Sequence, residues 1–196
     1  SWDNADTIRL TEDNGASFIS LQAGTSALTF NGGATADTII GTAGANIITG
    51  GAGADTITTG AGTDQVNYVQ GALTFAQEVA NTGTVAIGVI DVITDFTAGT
   101  DTINFTVAGA AQTIASAAVA NANYAAALAQ ADAAFTADAT VGGLSYFVAA
   151  YGAGAAWTSV LFIDSDGAAA GTADGAIQIG LVGAYATEAA ALAAIT

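Results

Sequence analysis

Gly50-Gly51-Ala52-Gly53-Ala54-Asp55-Thr56-Ile57-Thr58 is the stretch on which the reading of this chain turns. Its glycines, its acid and its aliphatic residue recur at a nine-residue period on either side. Rows of nine begin at Gly32, Gly41, Gly50 and Thr59, with Asp37, Asn46, Asp55 and Asp64 in the sixth column and Ile39, Ile48, Ile57 and Val66 in the eighth. Only the third row keeps every place. Row one has Thr35 for a glycine, row two has Thr42 and Asn46, and row four opens on Thr59, so the pattern decays toward its edges as terminal repeats do.

The pattern dictates a shape. Glycines permit the positive φ values of a tight turn, and the triplet around each aliphatic residue makes a short strand with that side chain turned inward. Each nonapeptide is then half a coil, and two make a flattened turn of eighteen residues, which stacks Asp37 on Asp55 and Asn46 on Asp64. Strands ~4.8 Å apart put like charges side by side, at a cost of roughly 1 kcal/mol in water and several-fold more in a poorer dielectric. A calcium ion takes oxygens at ~2.3–2.6 Å, so one ion midway between stacked loops reaches a carboxylate oxygen from each, with loop carbonyls completing the shell. Magnesium, six-coordinate and reluctant to lose water, fits poorly.

The expected metal-facing set is Gly32, Gly33, Asp37, Gly41, Gly44, Asn46, Gly50, Gly51, Gly53, Asp55, Gly60, Gly62 and Asp64, with Asp91, Asp95 and Asp101 closing the last site. Asn46 should weaken its edge relative to the Asp37/Asp55 edge. At free calcium ~100 times the dissociation constant one site adds ~2.7 kcal/mol, so several sites decide the fold. The alternative is a metal-free solenoid whose Asp residues only cap turns. Disorder is a poorer account, because a linker has no need to keep the aliphatic column in phase.

Composition narrows the partners. Net charge is −16, with Arg9 the single base and no Lys or His, which excludes phosphate-backbone binding and anionic membrane surfaces. Asp greatly outnumbers Glu, and Asp is the acid that tolerates turns. Without Cys there are no disulfides, and metal is the natural staple. No apolar run reaches the ~20 residues of a membrane span. The chain opens on Ser1 with no signal-peptide pattern, so we expect a processed or C-terminal portion of a larger protein, exported without an N-terminal signal.

Outside the rows, running the register backward puts Phe30 and Leu21 in the aliphatic column, in coils without metal, while Asp6-Thr7-Ile8 stands out of phase and implies a longer loop. Forward, strands are expected at 84–87, 91–96, 101–105, 144–149, 159–163 and 176–182, with helix at 72–80, one or two Ala-rich helices within 110–139, and a short helix or tail at 187–195. The chain divides at 1–70, the roll, and 71–196, a β-rich C-terminal region with Ala-rich helices.

These residues resemble the RTX (repeats-in-toxin) family. Asp91-Val92-Ile93-Thr94-Asp95-Phe96-Thr97-Ala98-Gly99-Thr100-Asp101-Thr102-Ile103 is similar to the D-x-I-x-D-F-x-x-G-x-D-x-I segment that follows the roll there, and Leu161-Phe162-Ile163-Asp164 through Ile177-Gln178-Ile179 to a strand pair near the C-terminus. The resemblance implies a mainly β protein with a right-handed parallel β-roll, export by type I secretion machinery reading an uncleaved C-terminal signal, and folding in calcium-rich surroundings outside the cell.

Asp164, Asp166 and Asp174 invite an EF-hand reading that fails, since Gly167 sits at the fourth loop position and no Glu stands at the twelfth; a β-turn is expected. Catalysis is not expected: there is no His or Cys, and Glu12, Glu78 and Glu188 sit in no recognisable site. Ala, Thr and Gly dominance without Cys, Met, His or Pro resembles bacterial surface-layer proteins, which implies a secreted cell-surface role and calcium-bridged self-assembly into a lattice. The second hypothesis is a calcium-binding and secretion module of an exported protease, lipase or epimerase.

Overall fold

The computed structural model describes residues 7–9, 18–20, 24–33, 35–69, 90–97, 99–106, 112–113, 121, 123–137, 145–153, 156–164, 173 and 175–181. Short strands come first: β1 (Thr7–Arg9), β2 (Phe18–Ser20), β3 (Thr29–Asn31), β4 (Thr38–Ile40), β5 (Ile47–Thr49), β6 (Thr56–Thr58), β7 (Gln65–Val69), β8 (Asp91–Phe96) and β9 (Thr102–Thr106). The odd strands form one parallel sheet in the order β1-β3-β5-β7-β9, and β2, β4, β6 and β8 lie side by side in a second. Successive strands thus alternate between two sheets. This is the parallel β-roll expected of the nonapeptides.

The register is that of the rows. Phe30 pairs with Ile48, Ile48 with Val66, and Ile39 with Ile57, each 18 residues on. Two inward ladders result: Phe30, Ile48, Val66 and Ile103 under one sheet, and Ile39, Ile57 and Ile93 under the other. All seven side chains are fully buried. A three-residue strand makes too few hydrogen bonds to persist alone, so its stability comes from the buried rung above and below it.

The array outruns the four rows. Ile57 pairs with Ile93, 36 residues on, and Val66 with Ile103, 37 residues on. The sixth column therefore continues through Asp91 and Asp101 into another coil, and the offset changes by one inserted residue between Thr94 and Asp101. Backward, Phe30 holds its column, and Ile19 pairs with Ile39, 20 residues away, in the place that the nine-residue register gives to Leu21, which lies outside the described residues. Ile8 pairs with Phe30 across 22 residues, the longer loop expected there.

The second sheet then continues. Beyond β8 come β13 (Gly175–Leu181), β12 (Ala156–Asp164), β11 (Ser145–Ala153) and β10 (Gln112–Thr113), with β13 parallel to β8 and β12 antiparallel to both its neighbours. β12 and β13 are the strand pair expected from 161–179, with Leu161 opposite Ile177. Helix α1 (Tyr124–Ala137) starts at Asn123, whose Oδ1 accepts the Ala126 N–H at 3.0 Å as an N-cap.

Both faces of β12 are covered, which explains the unbroken apolar run Val160-Leu161-Phe162-Ile163. Leu161 and Ile163 join the roll's interior with Ile57 and Ile93, while Val160 and Phe162 pack with Ala127, Leu128, Ala131 and Phe135 of the helix. Helix was expected within 110–139, and among the described residues 124–137 is helical. Gln112 and Thr113 pair instead with Ser145 and Tyr146, sheet-edge pairing overriding Ala-rich propensity. The segments 72–80, 84–87, 165–172 and 187–195 lie outside the described residues.

Ile57 touches both neighbouring rungs, so Ile57→Ala in calcium-saturated protein should cost about 2–4 kcal/mol by denaturant unfolding. A loss below about 1 kcal/mol would contradict the inward ladder.

Candidate metal centre

One contact repeats along the roll at the sixth column. The side-chain Oδ1 of each Asp or Asn accepts the backbone N–H of the sixth-column residue one coil earlier: Asp55 from Asp37 at 2.8 Å, Asp64 from Asn46 at 2.7 Å, Asp91 from Asp55 at 2.8 Å and Asp101 from Asp64 at 3.0 Å. Asn46 does the same for Leu28, which precedes the acids, at 3.3 Å. A side chain two bonds long is what spans the gap between neighbouring coils here. The stacking of Asp37 on Asp55 and of Asn46 on Asp64 is therefore direct, and the columns extend to Asp91 and Asp101.

The contact satisfies one carboxylate oxygen and leaves the charge. Asp37, Asp55, Asp64, Asp91 and Asp101 are all buried. Among the described residues, Asp55 Oδ2 and Asp64 Oδ2 are enclosed with no hydrogen-bond partner. Burial first, and then the neighbouring Asp91 charge, push the Asp55 carboxyl up to about 8. Burial likewise raises Asp64 to about 6, against the N–H bond from Asn46, and raises Asp101. Buried oxygens that no donor reaches are what a cation site looks like from the protein side.

The loops are shaped to the same end. Gly33 donates its N–H to Asp37 Oδ2 at 2.8 Å, and the loops 32–37 and 50–55 lie against each other through Gly32 N–H to Thr49 O at 2.8 Å and Ala52 N–H to Gly33 O at 3.1 Å. A Cβ at Gly50 would strike Asp55 Oδ2, and one at Gly51, whose φ is 113°, would strike the Gly33 carbonyl. No three carboxylates converge among the described residues, so loop carbonyls must supply much of any coordination shell. The donors are all oxygens, in a chain without His or Cys, which fits a hard cation with many oxygen ligands. The residues present fit calcium.

The expected ligands divide into groups. Gly32, Gly33, Gly50, Gly51 and Gly53 frame the Asp37/Asp55 loops, and Gly60 and Gly62 frame the Asp64 loop beside Asp101. Asp95 acts differently, as a clamp on the start of that loop, where its two oxygens accept the N–H groups of Thr59 at 2.7 Å and Gly60 at 2.9 Å. Gly41 and Gly44 surround Asn46, whose amide is already hydrogen-bonded within its loop pair. Pattern reasoning misses Thr42 and Thr59, which look like decay. Both are buried, with Thr42 Oγ1 on Asn46 Oδ1 at 2.9 Å and Thr59 Oγ1 on Asp95 Oδ1 at 3.0 Å. Asp164 ends β12, and Asp166 and Asp174 lie outside the described residues.

Without calcium the folded roll holds protons on Asp55 and Asp64 that the unfolded chain sheds near its ordinary value of 3.8. The contribution of these groups is thus fully present below about pH 4 and is lost as pH rises through about 6 to about 8. In chelator, the thermal midpoint should fall over that range, and calcium binding at about pH 7 should release protons, read by calorimetry in buffers of different ionisation enthalpy. A chelated midpoint flat from about pH 5 to pH 8 would contradict the buried-carboxylate account.

The family model for the RTX calcium-binding nonapeptide repeat, in four copies, matches residues 31–66. Comparison of the chain with curated proteins gives no match. The matched segment coincides with the loops in which Asp37, Asp55 and Asp64 are buried, so residues 31–66 of this chain are RTX-type calcium-binding repeats folded as a β-roll.

Proposed function

We propose that this chain is the calcium-binding structural domain of a secreted cell-surface protein of the surface-layer kind, in which calcium drives folding and then bridges copies into a lattice. The observation that carries the folding half is the pair of buried, partnerless oxygens Asp55 Oδ2 and Asp64 Oδ2 inside a stack of like charges. The residues that would hold the ion between loops 32–37 and 50–55 are Asp37 and Asp55 with the carbonyls of Gly33, Thr35 and Gly50. A second group is offered by Asp64 with the loop of Gly60 and Gly62 and by Asp101. Calcium supplies positive charge and a many-oxygen shell there. The chain's own residues fix the loop geometry, enclose the site and hold adjacent coils in register.

The lattice half rests on composition: an acidity of −16 with a single base leaves copies mutually repulsive until a divalent ion stands between them. Secretion follows from a fold that needs more calcium than a cytosol offers, and the type I route from the family. A chain with no His or Cys offers no imidazole or thiol chemistry, and we assign it no catalysis. A calcium and secretion module of an exported enzyme would carry the same roll, so the two readings part on assembly.

In chelator above about pH 8, where the stacked carboxyls have lost their protons, the far-UV circular dichroism of the roll should be largely lost and should return with millimolar calcium; a full β spectrum in chelator at that pH would overturn calcium-coupled folding. Asp55→Ala removes a charge and the acceptor for the Asp37 N–H, and should raise the calcium needed for half-folding about tenfold or more, ~1.4 kcal/mol. An unchanged midpoint would remove Asp55 from the site. Sedimentation in calcium separates the roles: ordered oligomers support the lattice, and a folded monomer at all concentrations supports the export module.

A further inference from the structure

The two edges of the roll are built from the same nonapeptide and filled differently. At the edge of loops 41–46 and 59–64, the Asn46 side-chain nitrogen lies 2.8 Å from Gly44 O, 3.0 Å from Asp64 Oδ1, 3.2 Å from Thr59 O and 3.3 Å from Thr42 O. Four oxygens from two loops converge on one NH2 group, which has two protons to share among them. The orientation of the amide is fixed from its other end, where Oδ1 accepts the Leu28 N–H at 3.3 Å and lies 2.9 Å from the Thr42 hydroxyl, whose single proton is shared with the Ser26 carbonyl at 2.5 Å. Reversing the amide would set an oxygen against four oxygens and a nitrogen against the Leu28 N–H.

Asn46 Nδ2 stands where its counterpart across the repeat is a carboxylate oxygen. A Cβ built on Gly41 would lie against the Thr59 carbonyl and 3.0 Å from Asn46 Nδ2; one built on Gly32, nine residues earlier, would lie against the Gly50 carbonyl and 3.0 Å from Asp37 Oδ2. The carbonyl framework is the same. On the Asp37 edge an anion faces those oxygens and the cage calls for a cation. On the Asn46 edge a hydrogen-bond donor faces them and the electrostatic demand is already met.

We propose that the Asn46 amide is a built-in substitute for a cation, so that the 41–46/59–64 loop pair closes without calcium. The proposal rests on the calcium reading of the Asp37/Asp55 edge and goes beyond it. The three departures of this region from the repeat then form one device: Asn46 supplies the donor, Thr42 orients it, and Thr59 contributes a carbonyl while Asp95 clamps its own N–H. One edge of the roll is latched by neutral hydrogen bonds, and the register of β5 against β7 is set before any ion binds. Calcium then acts on coils already aligned.

Asn46→Asp converts the latch into a cage like its neighbour's. Calcium titration calorimetry of the full chain with calcium chloride should give one more bound ion for Asn46→Asp than for wild type, and the calcium needed for half-folding should rise, because two stacked carboxylates now oppose the metal-free roll. An equal ion count with an unchanged or lower midpoint would overturn the proposal. A wild type that binds no calcium would sink the calcium reading instead and leave the latch to a second measurement, which also serves if Asn46→Asp fails to fold. In calcium-loaded, 15N-labelled wild type, the Asn46 side-chain NH2 should be protected from solvent exchange, and Thr42→Ala should release it. A freely exchanging wild-type NH2 would overturn the latch.

Discussion

The structure depends on one contact repeated coil after coil: a short acidic or amide side chain whose inner oxygen takes the backbone N–H of the coil before it. Five such contacts run from Leu28/Asn46 to Asp64/Asp101. The contact demands a side chain of Asp or Asn length, hence the sixth column. It demands near approach of the loops, hence glycines at places such as Gly32 and Gly51 where a Cβ would strike the neighbouring coil. It also draws carboxylates into a buried stack, with the second oxygens of Asp55 and Asp64 left for a cation to meet. Local geometry and cation binding are two consequences of the same residue choice.

Stability is distributed accordingly. Within the coils the core is one rung thick, since each short strand contributes a single inward side chain of the Ile39 or Ile48 kind. Burying that side chain supplies about 1.5–3 kcal/mol while a whole half-coil of backbone is ordered, so the coils lean on their hydrogen bonds as much as on apolar burial. Where the second sheet continues into β13, β12 and β11 the balance changes. There both faces are covered, by the roll's interior on one side and by Phe135, Leu128 and the alanines of α1 on the other. The apolar end of the sheet gives the last coil a surface to stack on, and the calcium we propose between the loops would consolidate the rest.

Much of this was legible from the residues. Strict phasing of Ile39, Ile48, Ile57 and Val66 carried the strand register, and the eighteen-residue pairing followed from it. The D-x-I spacing at Asp91 and Asp101 marked candidate ligands but not the fact that these residues resume the roll, because a long intervening segment and a single insertion between Thr94 and Asp101 break the phase by which repeats are recognised. The backward register also missed Ile19, which pairs with Ile39 across 20 residues where the repeat would give 18. Gln112 and Thr113 escaped because edge pairing depends on a partner strand far along the chain. Substitutions that look like decay, Thr42 and Thr59, proved to bond to Asn46 and Asp95, a relation that no single-row pattern reveals.

The account stands most directly on where cations sit. Anomalous difference density from a calcium-loaded crystal of this chain should show a peak between loops 32–37 and 50–55, within bonding distance of Asp55, with the sixth-column contacts intact. A folded roll with Asp37 and Asp55 stacked as described and no peak between those loops would contradict it.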